Sequence, residues 1–281
     1  MLGAGACLVL LGLVWFAAFH IGFFEHADQS IYVQFGDLGD HGWITFVADH
    51  VVSLFNPGFF VLVALVPVVV ALLRRRLRVL LAVAAILLGA NITTEVLKHL
   101  LAAPRPGAYM SGIWPLPINS FPSGHSTAAM SLMAAMVLAT PARLRPVVAA
   151  VGTLLAIAVG YSVLATGMHY PSDVLGGFLV ATIWSLTSVA VLIGADRWRA
   201  SSAESDSHPH AARELVSVRA LLSAPGLAFV GAVVLAAVYL ISRPHGAVSY
   251  ARAHEALAAG AAGIAALGLT LSTGVLLSIR R

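Results

Sequence analysis

The chain has 281 residues, 59 % of them hydrophobic and 10 % charged, with a mean hydropathy of +0.92. A soluble domain carries about 25 % charged residues, so a soluble globular protein is excluded and an integral membrane protein is indicated. The sequence pI of about 9.6 does not point to nucleic acid, because the basic residues sit in short loops between apolar runs.

Eight apolar stretches approach the ~20 residues a helix needs to cross a bilayer. They lie near 2–24, 51–73, 79–101, 123–140, 147–167, 171–194, 220–241 and 255–278. The first has no basic leading segment, and its run exceeds the ~7–15 apolar residues of a signal peptide. It reads as an uncleaved span. It also holds Cys7, the chain's one cysteine, so no intrachain disulfide can form. The fourth is the shortest and needs its polar, capped start to lie in the interface. Neither strand-forming alternation nor an internal repeat is present. The fold expected is all-α, a polytopic membrane helical bundle.

Arginine placement sets the orientation. Arg74, Arg75, Arg76 and Arg78 follow the second span, and Arg143 and Arg145 follow the fourth. Arg197, Arg199, Arg213 and Arg219 follow the sixth, and Arg280 and Arg281 follow the last. The opposite side holds Lys98, Arg105, Arg243 and Arg252, together with Asp28, Asp37, Asp40 and Asp49. Both termini are therefore expected in the cytoplasm. Residues 195–219 form the one long polar loop on the basic side and read as a flexible linker. His208 and His210 within it lack further ligands at a metal-binding spacing. The expected organisation is a six-span core over 1–194, the linker over 195–219, and a two-span appendage over 220–281. The Gly- and Ala-rich last span suits close helix contact in lipid.

Three polar clusters fall on the side poor in basic residues. Lys98, the one lysine, ends the third span, and Arg105-Pro106 follows in the loop. Pro104 and Pro106 stop the helix there. A lysine at a helix end is also an ordinary snorkelling residue, but every loop cation elsewhere is arginine. Glu95, on the same face, can pair with Lys98 or His99. The second cluster is Pro122-Ser123-Gly124-His125, a turn at a helix start, where free N–H groups and the positive dipole end suit a phosphate. The same residues also make an ordinary cap. The third joins spans five and six. Pro171 suits the first helical position, which puts Asp173 in the first turn and His169 just ahead of it. A carboxylate four residues on can hold one imidazole nitrogen and leave the other free as nucleophile or base. Together the clusters supply cations, N–H donors and two histidines, the parts needed for phosphoryl transfer through a phosphohistidine.

These residues resemble the type 2 phosphatidic acid phosphatases, a superfamily of integral membrane lipid phosphate phosphatases with soluble relatives among bacterial acid phosphatases and vanadium haloperoxidases. The family's motifs are Lys-x6-Arg-Pro, Pro-Ser-Gly-His and Ser-Arg-x5-His-x3-Asp. The first matches Lys98, Arg105 and Pro106, and the second matches Pro122 to His125. The third matches Ser162, His169 and Asp173, with Val163 where the family carries arginine. The resemblance implies that His169 attacks phosphorus with Asp173 orienting it. It implies that His125 protonates the leaving oxygen, and that Lys98, Arg105, Ser123 and Gly124 hold the phosphoryl oxygens. It implies no metal and no other cofactor. The partners implied are a lipid phosphate or polyprenyl (di)phosphate presented in the outer leaflet, and the membrane lipids, with no nucleic acid. The missing arginine would leave a charge-assisted contact, worth roughly 1.5–3 kcal/mol, to another group. Arg243, Arg252 and His99 are candidates on that side. A lipid phosphotransferase and a non-catalytic lipid-phosphate binding or transport protein are the alternative functions.

Overall fold

A computed structural model describes residues 1–39, 42–104, 116–203, 249 and 251–279. In chain order the helices are α1 (Leu2–His20), α2 (Gly22–Gly39), α3 (Gly42–Ser53), α4 (Pro57–Leu73), α5 (Leu77–Leu100), α6 (Gly124–Ala139), α7 (Arg145–Ala165), α8 (Pro171–Ala203) and α9 (Glu255–Ile279). No strand occurs among the described residues. The bundle is all-α, as the hydropathy pattern requires. The expected seventh span, residues 204–219 of the expected linker and Arg105 lie outside the described residues. The eighth expected span is α9.

Helix α6 is the centre of the molecule. It is apolar on every side rather than along one stripe, which is the pattern of a fully enclosed helix. It buries every residue except Gly124, His125 and Met136, packing against α4, α5, α7, α8 and α9. At 16 residues it spans about 24 Å, short of the ~30 Å hydrocarbon thickness. Being enclosed by longer helices, it need not reach both interfaces itself. Its start is fixed locally: Ser123 is the N-cap, and its Oγ accepts from the Ser126 N–H at 3.3 Å. It is also fixed by a close approach, because a β-carbon on Gly177 of α8 would lie 2.6 Å from the Ser123 carbonyl oxygen.

The bundle has two chemically distinct ends. At one, Arg74 donates to the Ala139 carbonyl and Arg145 to the Thr140 carbonyl, placing cations at the C-terminus of α6, the end the helix dipole favours for them. Arg78 and Asp196 pair at the same end, tying α5 to α8. At the other end the three polar clusters converge. In α9, Gly260 lets Ile31 of α2 seat against its backbone, so the last span lies against α2, α7 and α8.

Two helices were not expected. The connection between the first two expected spans folds as α2 and α3, both at the end that carries the histidines. Helix α2 buries Asp28, Tyr32 and Phe35, a helical i, i+4, i+7 face made partly of polar atoms. Helix α3 meets α4 at a bend of 61°, with Asn56 at the corner. The span expected over 51–73 therefore begins at Pro57, a residue suited to the first helical position.

Candidate functional site: two histidines above an apolar cavity

The end of α5, the start of α6 and the α7–α8 connection meet at one point. The rings of His125 and His169 lie edge to face with centroids 6.2 Å apart. Segments 44 residues apart in sequence thus present two imidazoles across a gap that one tetrahedral anion can fill.

His169 is buried and held from several directions. Its Nδ1 faces Asp173 Oδ2 at 3.4 Å, and the same carboxylate oxygen accepts from the Tyr170 N–H at 3.0 Å. Asp173 is fully buried, and its main-chain carbonyl accepts from the Ser123 N–H at 2.9 Å. That bond ties the second cluster directly to the third. With Nδ1 donating to the carboxylate, Nε2 is the nitrogen left with a lone pair. His169 contributes to the wall of the cavity described below.

His125, in the first turn of α6, has Nε2 at 3.0 Å from Asn56 Oδ1. Asn56 was not singled out in the sequence. Lys98 reaches across from α5, its Nζ lying 3.3 Å from where a β-carbon on Gly124 would sit. Glycine at 124 leaves the ammonium room at the start of α6, where a β-carbon would crowd it. Of the two partners open to Glu95, the structure selects Lys98, at 2.7 Å. The Lys98 ammonium has three donor hydrogens, so this pairing leaves two for an anion.

Val163 carries no polar group to the site. Its side chain is fully buried in the apolar core. Its carbonyl accepts from the N–H groups of Met168 (2.9 Å) and His169 (3.3 Å), so its main chain supports the histidine loop. Of the candidates to replace the missing arginine, His99 and Arg252 are exposed, and Arg243 lies outside the described residues. The structure thus brings together Lys98, Ser123, Gly124, His125, His169 and Asp173. Among the described residues no group of three or more His, Cys, Asp or Glu side chains is arranged to hold a metal ion.

Below the histidines a cavity of about 730 Å³ runs between α4 and α5. Lys98, Gly124, His125 and His169 stand at its polar end. Phe60, Ala64, Val68, Ala84, Leu87 and Leu88 line its apolar part, and Asn91 and Glu95 also contribute to the wall. A polar mouth with an apolar depth suits an amphiphile, whose charged group and hydrocarbon need different solvents.

On the opposite side of the His169 loop stands α2. Tyr32 donates from its hydroxyl to the Gly167 carbonyl at 3.0 Å, and its ring lies 4.7 Å from that of Tyr170. Burial pushes the Tyr32 hydroxyl above its ordinary pKa, so it stays protonated and remains a donor. Asp28 accepts from the Ser172 N–H at 2.8 Å and from the Ser172 hydroxyl at 2.7 Å. Sequence spacing gives no hint of these pairings, because their partners are 135 and 144 residues away.

Residues 79–197 match the sequence model of the PAP2 superfamily. The fold is similar to a solved structure described as the first transmembrane PAP2-type phosphatidylglycerolphosphate phosphatase from Bacillus subtilis. That likeness covers 70 % of this chain and 98 % of the other, with a TM-score of 0.55 and 20 % identity. At that identity it is a likeness of fold. No curated protein matches the chain. All three polar clusters of this multi-pass membrane protein lie inside the segment that matches the PAP2 superfamily.

Proposed function

We propose that the chain is a membrane phosphatase that hydrolyses a lipid-linked phosphate or diphosphate, with the reacting end of the bundle at the outer membrane face. The observation that carries this reading is the pair of imidazoles 6.2 Å apart at the polar mouth of an apolar cavity. In the proposed reaction the phosphate enters between the rings, and the hydrocarbon lies between α4 and α5. His169 Nε2 attacks phosphorus, while Asp173 holds the Nδ1 proton and stabilises the imidazolium that develops. His125, entering the step as the imidazolium, gives its Nε2 proton to the departing lipid oxygen and is left neutral, so Asn56 is the group that oxygen displaces as hydrogen-bond partner. Lys98 and the N–H groups at the start of α6 stabilise charge on the equatorial oxygens. Water, activated by His125 after it has lost its proton, then cleaves the phosphohistidine and releases inorganic phosphate. Arg105 belongs to the phosphate-binding set by its motif.

The deciding experiment is phosphate release from a panel of phosphatidic acid, phosphatidylglycerol phosphate and polyprenyl diphosphate, with wild type beside His169→Ala. Release by wild type and its loss in the variant for every lipid is the expected result. A purified, folded variant that keeps wild-type turnover would remove His169 from the nucleophile's role. Transfer to a hydroxyl acceptor in place of water follows from the same intermediate, and mass analysis of the products separates the two.

A further inference from the structure

The segment matched by the family begins at residue 79, yet the loop that carries His169 is gripped from outside that segment. Asp28 and Tyr32 are four residues apart on one face of α2, and both are buried. Tyr32 holds the loop before His169, at Gly167. Asp28 holds it after, at Ser172. The histidine is bracketed.

The Asp28 contact is unusual in its chemistry. Ser172 is the second residue of α8, so its N–H is one of those a helix leaves without an internal acceptor. Asp28 satisfies it from another helix and takes the hydroxyl as well, with one carboxylate oxygen for each. Burying a carboxylate is costly unless it is hydrogen-bonded in this way. The positive end of α8 further favours the charge. Two carboxylates thus share the start of α8. Asp173 meets the imidazole and Asp28 meets Ser172, so the turn from His169 to Asp173 is held from its own helix and from α2.

We propose that Asp28 is a positioning residue for the candidate nucleophile: its double hydrogen bond to Ser172, with Tyr32 on Gly167, fixes the His169–Asp173 turn against the α6 start. The proposal rests on the reading of His169 given above. It assigns to α2, an element outside the matched segment, control over where the imidazole sits. Misplacing a reacting group by about 1 Å can cost on the order of a hundredfold in rate. Phosphate binding by Lys98 and the start of α6 does not pass through α2. The effect therefore belongs on kcat rather than on KM.

The test uses the full-length protein in detergent or liposomes, with Asp28→Ala, Asp28→Asn, Ser172→Ala, the Asp28→Ala/Ser172→Ala double variant and Tyr32→Phe. Asp37→Ala, an exposed carboxylate on the same helix, is the control. Asp28→Ala should lower kcat about ten- to a hundredfold with KM unchanged, and Asp28→Asn, which keeps one acceptor oxygen, should fall between it and wild type. Ser172→Ala should lose less, and the double variant should be no worse than Asp28→Ala, because the two side chains act as one contact. Tyr32→Phe should show a smaller loss of the same kind.

A second readout needs no turnover. Modification by diethyl pyrocarbonate, followed by mass spectrometry, should become faster at His169 in Asp28→Ala while staying at the wild-type rate at His125. Wild-type kcat in Asp28→Ala would overturn the proposal. So would losses shared equally between kcat and KM, or an unchanged modification rate at His169. If His169→Ala kept full turnover, the assignment of His169 as nucleophile would fall, and the modification rates alone would still decide whether Asp28 holds the loop.

Discussion

At the scale of single residues, position 163 holds valine where the resemblance leads one to expect arginine. Valine there packs among apolar neighbours and offers the site a main-chain carbonyl alone. That carbonyl supports the His169 N–H, so an arginine side chain at 163 starts close enough to reach toward the phosphate gap. It would also strip apolar contacts from a fully buried position, and a guanidinium left unpaired there is strongly destabilising. We expect Val163→Arg to lower the melting temperature and to raise kcat/KM above a wild-type rate that is already measurable. Phosphate release under saturating lipid, with thermal unfolding alongside, checks both. A wild type that binds lipid phosphate without releasing any, beside a Val163→Arg variant that does, would move the reading to a binding or transport protein. Asn56 makes a complementary point. It stands 69 positions from His125 in sequence and belongs to no motif, yet it occupies the imidazole's proton.

At the scale of the element, the start of α6 decides whether the site exists. Its position depends on Gly177, whose missing side chain lets α8 come against the Ser123 carbonyl. A methyl group there meets a main-chain oxygen, which has no rotamer to yield, so α6 and α8 must separate. Overpacking of this kind costs about 1–3 kcal/mol. Gly177→Ala should therefore lower the melting temperature and reduce phosphate release together. A variant with wild-type stability and turnover would show that the close approach is not required. The start of α6 was legible in the sequence because both local readings of Ser123-Gly124-His125, a cap and a phosphate site, require a helix to begin there. The same holds for the i, i+4 relation of His169 and Asp173. Helices α2 and α3 were not legible. A search for ~20 apolar residues passes over a helix whose buried face is Asp28, Tyr32 and Phe35. The carboxylate that makes α2 look solvated is hydrogen-bonded to Ser172. Asp28 stood out in the sequence as one of several acids on the sparsely basic side, and nothing local distinguished it from exposed Asp37.

At the scale of the whole molecule, the separation of charge along the bundle axis ties fold to function. Arginines cap the carbonyl ends of helices at one end, and Lys98, the two histidines and the α2 clamp occupy the other. Loop arginines favour the cytoplasmic side, so the histidines should face outward, where a lipid phosphate of the outer leaflet would meet them. Labelling can test this with conservative replacements in a Cys7→Ala background. Ser30, exposed on α2 at the histidine end, becomes cysteine with little change of shape. Ala142, exposed between α6 and α7 at the arginine end, does likewise. In intact cells or right-side-out vesicles, a membrane-impermeant maleimide should modify Ser30→Cys at once and reach Ala142→Cys only after permeabilisation. The reverse order would put the imidazoles in the cytoplasm. The chemistry at His169 could then stand unchanged, but its substrate would have to be a lipid phosphate of the inner leaflet.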